Sequence, residues 1–402
     1  MDILKKLQAM GVNIQSANNL PSRRRAVLGI EQCLDGKWIE SHGNRIFFHQ
    51  TIFPYGSKYG KITLMRSEDY KNHNKFWQPF DIGNLNPDDF LFFDIETSSI
   101  TIGTGTLVFL FGASHFSDNG LEVIQVFMED PTQEEYFLVY LQDLLMKFKC
   151  LVTYNGKSFD IPILQTRYLM NKNLFKVNGF PHIDLLHTSR KIWKYRLESK
   201  RLADIENHIL AFYRRKDEIP GWLIPQIYQD YLQTGDALPL TNVFYHNEMD
   251  VVSLAVLFLE INHMIAFRQS DVWEYLSIGE IYKKANQFEQ AEMFFNCALE
   301  KAQNNFQRTK ILQNLAQSLK KQHTLEEAAE IWMELAKYHD ITAYIELAKY
   351  YEHVEKDFIK ALECTKNAVE LVINNESEDA SAIENLLVRR RRLEKKILNN
   401  KK

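Results

Sequence analysis

The chain is short of cysteine, of long apolar runs and of net charge. Its four cysteines (Cys33, Cys150, Cys297 and Cys364) lie far apart with no CxxC pair. That spacing argues against a zinc cage and against a secreted disulfide framework. No apolar run approaches the roughly 20 residues needed to span a bilayer, and the opening stretch MDILKKLQAMGVNIQ lacks the apolar core of a signal peptide. The expectation is a cytoplasmic protein with no membrane association. Lys and Arg number 48 against 52 Asp and Glu, a net charge of −4, so any nucleic-acid binding has to come from local basic patches. What is present is an ordinary folded composition, 45% hydrophobic and 25% charged, which excludes a wholly disordered chain. At 402 residues the length fits two or three domains and needs no disulfide or metal staple.

Three zones follow one another. Residues 1–85 open with an amphipathic helix candidate, DILKKLQAM, and a basic cluster from Ser22 to Arg25; Phe47, Phe48, Ile52 and Phe53 then flank a Pro54–Gly56 turn, which predicts a hairpin. Residues 86–268 alternate. FLFFDIET, TLVFLFGAS and LEVIQVFM read as three buried strands, PTQEEYFLVYLQDLLMKF as a helix, CLVTYN as a fourth strand, SFDIPILQTRYLM as a second helix and HIDLL as a fifth strand. That order predicts a mixed sheet with helices on its faces. Residues 269–388 lose the strand signal. Gly279, Tyr282, Ala291, Phe295 and Ala298 fall at tetratricopeptide spacing, with weaker copies around Ala328 and Trp332 and around Ala361 and Ala368. Three such copies are near the minimum for a stable stack. Residues 389–402 form a basic tail with eight Lys or Arg and one acid, Glu394, read either as a polar cap or as a phosphate-binding end.

Three motifs carry chemistry. Asp94 and Glu96 end the apolar run FLFF; two apart on a strand, they project from one face. Paired carboxylates beside apolar surface repel and lose solvation, so they call for a cation or protons. Asn155–Asp160 (NGKSFD) puts a sharp turn before a helix, with Asp160 in the first turn, where it would also complement the helix dipole. Tyr245–Asp250 (YHNEMD) opens the apolar helix VVSLAVLFLEI, an expensive place for an unpaired Asp250.

These three motifs, in this order, resemble the exonuclease motifs of the DEDD superfamily of 3′–5′ exonucleases. The wider strings HIDLLHTSRKIW, RLADIENHIL, RKDEIPGWLIPQIYQDYL and HNEMDVVSL closely resemble the YprB type of bacterial ribonuclease-H-like proteins. The resemblance implies an α/β ribonuclease-H-like mixed-sheet domain over 86–268, followed by an all-α tetratricopeptide-type repeat domain. It implies that Asp94, Glu96, Asp160 and Asp250 hold two divalent cations, Mg²⁺ or Mn²⁺, which suit hard oxygen ligands and catalyse phosphodiester hydrolysis in pairs. Nucleic acid would be the substrate, DNA or RNA undecided, with a protein partner on the repeats. Members of the superfamily place a base before the last aspartate, a tyrosine four residues earlier or a histidine five earlier. This sequence inverts the pattern: His246 is four before Asp250 and Tyr245 five. On a helix His246 would lie about 40° from Asp250 and Tyr245 about 140°, and imidazole titrates nearer neutrality, so His246 is the preferred base and Tyr245 the alternative.

Further residues divide between roles. Asp184 is a supporting group or a helix cap, and Asn155 and Lys157 are weak candidates for substrate contact. His187, Arg190 and Lys191 face phosphate or solvent. Asp217 matches a family position without a derivable role. Trp193 and Trp222 stack on bases or, as expected for both, are buried. The competing functional reading is a catalytically inactive nuclease-fold scaffold; a structure-specific endonuclease would share the same fold and metals.

Overall fold

A computed structural model of the chain describes residues 27–77, 82–100, 103–267, 270–374 and 380–400. The amphipathic stretch and basic cluster expected near the N-terminus lie outside these residues. After a short helix α1 (Ile30–Cys33), strands β1 (Lys37–Ser41) and β2 (Asn44–Pro54) pair around His42–Gly43, and a minor two-stranded sheet follows, β3 (Lys58–Tyr59) and β4 (Ile62–Thr63). Then come β5 (Phe90–Thr97), β6 (Val108–Phe116), β7 (Gly120–Phe127), helix α2 (Glu134–Leu145), β8 (Cys150–Thr153), α3 (Asp160–Met170), β9 (His182–Asp184) and α4 (Leu185–Ile192). The expected order of strands and helices is the observed one. The hairpin was expected through Pro54–Gly56 and instead turns at His42–Gly43. Gly43 has φ +81 and His42 φ +51, the left-handed geometry of a tight antiparallel turn.

One seven-stranded sheet results, ordered β1-β2-β7-β6-β5-β8-β9. The five strands from β1 through β5 in that order are antiparallel neighbours, while β5–β8 and β8–β9 are parallel. Residues 37–54 therefore extend the main sheet; they form no separate subdomain. Alternation along β5 divides its side chains between two cores. Leu91, Phe93 and Ile95 enter one core with Phe137 and Leu141 of α2 and Leu164 and Tyr168 of α3. Phe90 and Phe92 enter the other, against Phe258 at 5.1 and 5.6 Å between ring centroids. Asp94 and Glu96 continue this second face.

The chain then passes α5 (Leu202–Ile205), a π-turn over Glu206–Leu210, α6 (Ile224–Thr234) and the long α7 (Leu240–Phe267). By length and composition α7 is able to span a bilayer, but 83% of its most apolar stretch is buried within the fold. It is a core helix. It lies across the second face of the sheet, with Ser114 Oγ donating to Val251 O at 2.8 Å and Trp77 Nε1 donating to Asn262 Oδ1 at 3.0 Å.

The C-terminal region is all helix: α8 (Val272–Lys284), α9 (Phe288–Lys301), α10 (Asn305–Lys321), α11 (Leu325–Ala336), α12 (Ile341–Tyr350), α13 (Phe358–Asn374) and α14 (Ala380–Asn400). Small residues sit at the helix contacts, where Gly279 meets the Phe295 ring so closely that a Cβ would overlap it, and Ala291, Ala328, Ala361 and Ala368 are buried. One apolar core runs from Phe90 through Phe258, Tyr275 and Phe295 to Tyr350, straight across the boundary expected at 268. Trp193 Nε1 donates to Glu274 Oε1 at 2.9 Å and Arg196 pairs with the same carboxylate at 2.6 Å, so the helices pack on the sheet domain. Residues 389–400 of the basic end continue α14. Arg389, Arg392 and Lys396 turn onto the buried Glu352 at 3.0, 2.8 and 2.8 Å, which favours a capping role for these three.

Candidate active site

Asp94 stands opposite Gly112 of β6. A Cβ at Gly112 would overlap the Asn247 amide, so glycine makes room for Asn247, which is fully buried on α7. Gln125 Nε2 donates to Asn247 Oδ1 at 2.9 Å and to Phe244 O at 2.8 Å, which turns the Asn247 Nδ2 group toward Asp94 O and Oδ2, each 3.4 Å away. Neither amide was singled out from the sequence. The available signal was a glutamine inside the apolar strand LEVIQVFM.

The second motif folds as a strained turn. Asn155 has φ +67, a conformation that asparagine tolerates better than most residues. A Cβ on Gly156 would overlap Thr153 and press on the Asp160 carboxylate. Asp184 fastens the turn: its carboxylate accepts the N–H of Asn155 at 2.9 Å and of Lys157 at 3.1 Å, and caps α4 through Leu186 N–H at 3.1 Å. Its side chain is wholly buried, so it is both cap and supporting group. Asn155 joins this arrangement through its backbone N–H.

The third motif lies inside a helix. Because α7 starts at Leu240, His246 and Asp250 occupy one face, with Nε2 3.4 Å from Asp250 Oδ2. Glu96, His246 and Asp250 each offer a ligand atom within 4.8 Å of the others. Tyr245 points elsewhere. The Arg215 guanidinium covers its ring at 3.4 Å, and it lines a cavity of about 270 Å³ with His49, Phe244 and Glu248.

The charges at this site are unevenly matched. Burial, then repulsion from Asp160, Asp250 and Glu96, pushes the Asp94 carboxyl well above its ordinary value. Burial raises Glu96 to about 8 despite the nearby His246, and raises Asp160 to about 7 despite backbone N–H donors. Arg214, from the loop after the π-turn, pairs with Asp250, with Glu206 at 2.5 Å and with Glu218 at 2.6 Å. Burial alone would lower His246, but the hydrogen bond to Glu218 (Nδ1 to Oε1, 2.9 Å) and the charges of Asp250 and Glu96 raise it to about 9. The imidazole is therefore cationic near neutrality without further ions. Glu206 and Glu218 lie in the strings RLADIENHIL and RKDEIPGW and Arg214 directly precedes the second, but nothing in the sequence gave them roles. Asp217, which was noted, is exposed, and its neighbour Glu218 makes the contacts. Trp193 is buried as expected. Trp222 is not: it is 68% exposed beside Glu96 and Phe159, since Gly221 and Pro220 hold it on a surface turn.

The sequence profile of the RNase_H superfamily matches residues 91–262. The chain is 32% identical over 297 residues to the uncharacterized protein YprB of Bacillus subtilis (strain 168), covering 71% of this chain and 70% of that one. Among solved structures, a family B DNA polymerase from the hyperthermophilic archaeon Pyrobaculum calidifontis aligns with a TM-score of 0.36 and 18% identity over 51% of this chain and 28% of the polymerase.

Proposed function

The chain belongs to the RNase H superfamily, and from that premise we propose that it is a 3′–5′ exonuclease hydrolysing phosphodiester bonds at single-stranded DNA or RNA ends with two Mg²⁺ or Mn²⁺ ions. The observation that carries this is the crowding of Glu96, Asp250 and His246 within 4.8 Å, with the carboxyls of Asp94 and Asp160 raised by burial and mutual repulsion. Such a donor set fits hard divalent cations: it is oxygen-rich, under-neutralised, and already attracts the Arg214 guanidinium to Asp250. Asp94, Glu96, Asp160 and Asp250 would hold the ions, which when bound supply water activation and charge neutralisation at phosphate. The other groups act around them. Asn247 orients Asp94; Asp184 fixes the turn that presents Asp160; Arg214 and Glu218 set the position of Asp250 and His246. With Nδ1 tied to Glu218, His246 directs Nε2 into the carboxylate cluster; bound cations would oppose its positive charge, and once neutral it would be placed to accept and return a proton.

We read the C-terminal helices as tetratricopeptide-type repeats that take a protein partner, and the protein as cytoplasmic. A second reading, an inactive scaffold, draws on one observation: Arg214 neutralises Asp250 from within the chain. Purified protein with Mn²⁺ and 5′-end-labelled single- and double-stranded DNA and RNA separates the cases, with Asp94→Asn alongside. Shortening from the 3′ end by wild type alone supports the exonuclease. Internal cuts would make it an endonuclease. Binding without cleavage would leave the scaffold.

A further inference from the structure

We propose that the seam between the sheet domain and α8 is an anchoring site for a backbone phosphate of the nucleic-acid strand whose end enters the carboxylate cluster. This rests on the nuclease reading and adds to it a path for the strand. A cavity of about 240 Å³ opens there. Lys157 contributes from the second motif, His187 and Lys191 from α4, and Phe76, Trp77 and Ile281 supply an apolar wall. Lys284, at the end of α8, acts on Lys191 electrostatically together with Lys157, and burial with these two like charges holds the Lys191 ammonium below its ordinary value.

Two elements, the second motif and α4, thus bring cations to one concave place, and α8 adds Lys284 near enough to act on Lys191. The only acid among the lining residues, Asp184, is already engaged by the N–H groups of Asn155, Lys157 and Leu186, with His187 Nε2 4.0 Å from it. His182 is no competitor for the ligand. It is buried against Thr153 Oγ1 at 2.8 Å and pushed down to about 4, hence neutral. A solvated basic face would spread its charges into water, whereas these converge on a cavity with a hydrophobic wall, where a phosphate interacts more strongly. The pocket adjoins the reaction site through the motif itself, because Lys157 follows Gly156, whose backbone lies so near the Asp160 carboxylate that a Cβ there would overlap it. A strand crossing Asp160 meets Lys157 next. Since Ile281 and Lys284 belong to α8, the helical region would share in substrate binding.

The test uses full-length protein in EDTA, with fluorescence anisotropy of a trinucleotide and a 15-mer of deoxythymidine at several salt concentrations. Lys191→Gln/Lys284→Gln should bind the 15-mer roughly tenfold more weakly, with a log–log salt slope shallower by about 0.7 per lost phosphate contact. Trinucleotide binding should not change, and Lys191→Arg/Lys284→Arg should retain 15-mer affinity. Unchanged affinity and slope for the 15-mer overturn the anchor, as does an equal loss for both lengths. If the double variant does not fold, Lys284→Gln alone, at an exposed helix end, is read by the same criteria. Wild type that cleaves with Mn²⁺ and binds while the variant matches it removes only the anchor; wild type that binds no 15-mer overturns the anchor, and wild type that also fails to cleave with Mn²⁺ removes the nuclease reading as well.

Discussion

Two buried groups of charge invite comparison. In the C-terminal helices Glu352 has a fully buried side chain gripped by Arg389, Arg392 and Lys396. Although burial works against its charge, the hydrogen bonds from Lys396 and Arg392 outweigh it and hold the carboxyl below its ordinary value. Under α7 the balance runs the other way. Arg214 and His246 are spread over Asp250, Glu206 and Glu218, and burial pushes Asp94, Glu96, Asp160 and even Glu206 up. Acidic groups bound into helix packing are satisfied by the chain itself. Those at the proposed site are left to an added cation. A buried carboxylate is thus informative only once its partners are counted.

The comparison breaks most sharply at Asp94. Asp94→Asn keeps the shape and removes a charge from the under-neutralised group; cleavage of labelled oligonucleotide should fall below detection while the fold, read by circular dichroism, persists. Retained cleavage would detach Asp94 from the chemistry. His246→Ala should lower turnover by roughly 10²–10⁴-fold with metal affinity intact by calorimetry, and Tyr245→Phe should do little, because Arg215 and the opposite face of α7 hold that ring. Reversed effects would exchange the two assignments.

Arg214→Gln probes the cation that the site does own. It strands Glu206, which is 1% exposed, and should cost roughly 3–5 kcal/mol in chemical denaturation. Added Mn²⁺ should then recover more stability in the variant than in wild type.

A pH series sharpens the comparison further. Glu96 (about 8 against 4.5) and Asp160 (about 7 against 3.8) bind protons more tightly in the folded chain. His246 (about 9 against 6.5) does the same. Each contribution is complete below the unfolded value and is lost as pH rises through the folded one. Stability of the metal-free protein should therefore decline from about pH 5 to pH 9. Saturating Mn²⁺ should flatten the decline, adding about 2.7 kcal/mol at a hundred times its Kd; a melting temperature indifferent to both would argue against a cation site. The smallest expected effect is at the balanced group: Glu352→Gln should cost about 1–3 kcal/mol and leave cleavage unchanged.

The order of elements from β5 to β9 and the three acidic motifs were legible in the sequence, because hydrophobic period and local turn chemistry act over a few residues. Gly279 and the alanines at the helix contacts were legible for the same reason: small side chains at fixed spacing let helices approach. The extension of the main sheet by β1 and β2 was not, since their pairing partner β7 lies some seventy residues on. Nor was the exposure of Trp222, which a surface turn decides. The partners that tune the site were also hidden. Gln125 meets Asn247 across 122 residues, Asn247 meets Asp94 across 153, and Arg214 reaches Asp250 across 36. Such contacts leave no local pattern. Sequence determined which carboxylates the chain carries and on what elements; only tertiary structure decided how much of their charge the chain neutralises, because that depends on distances between segments that periodicity does not encode.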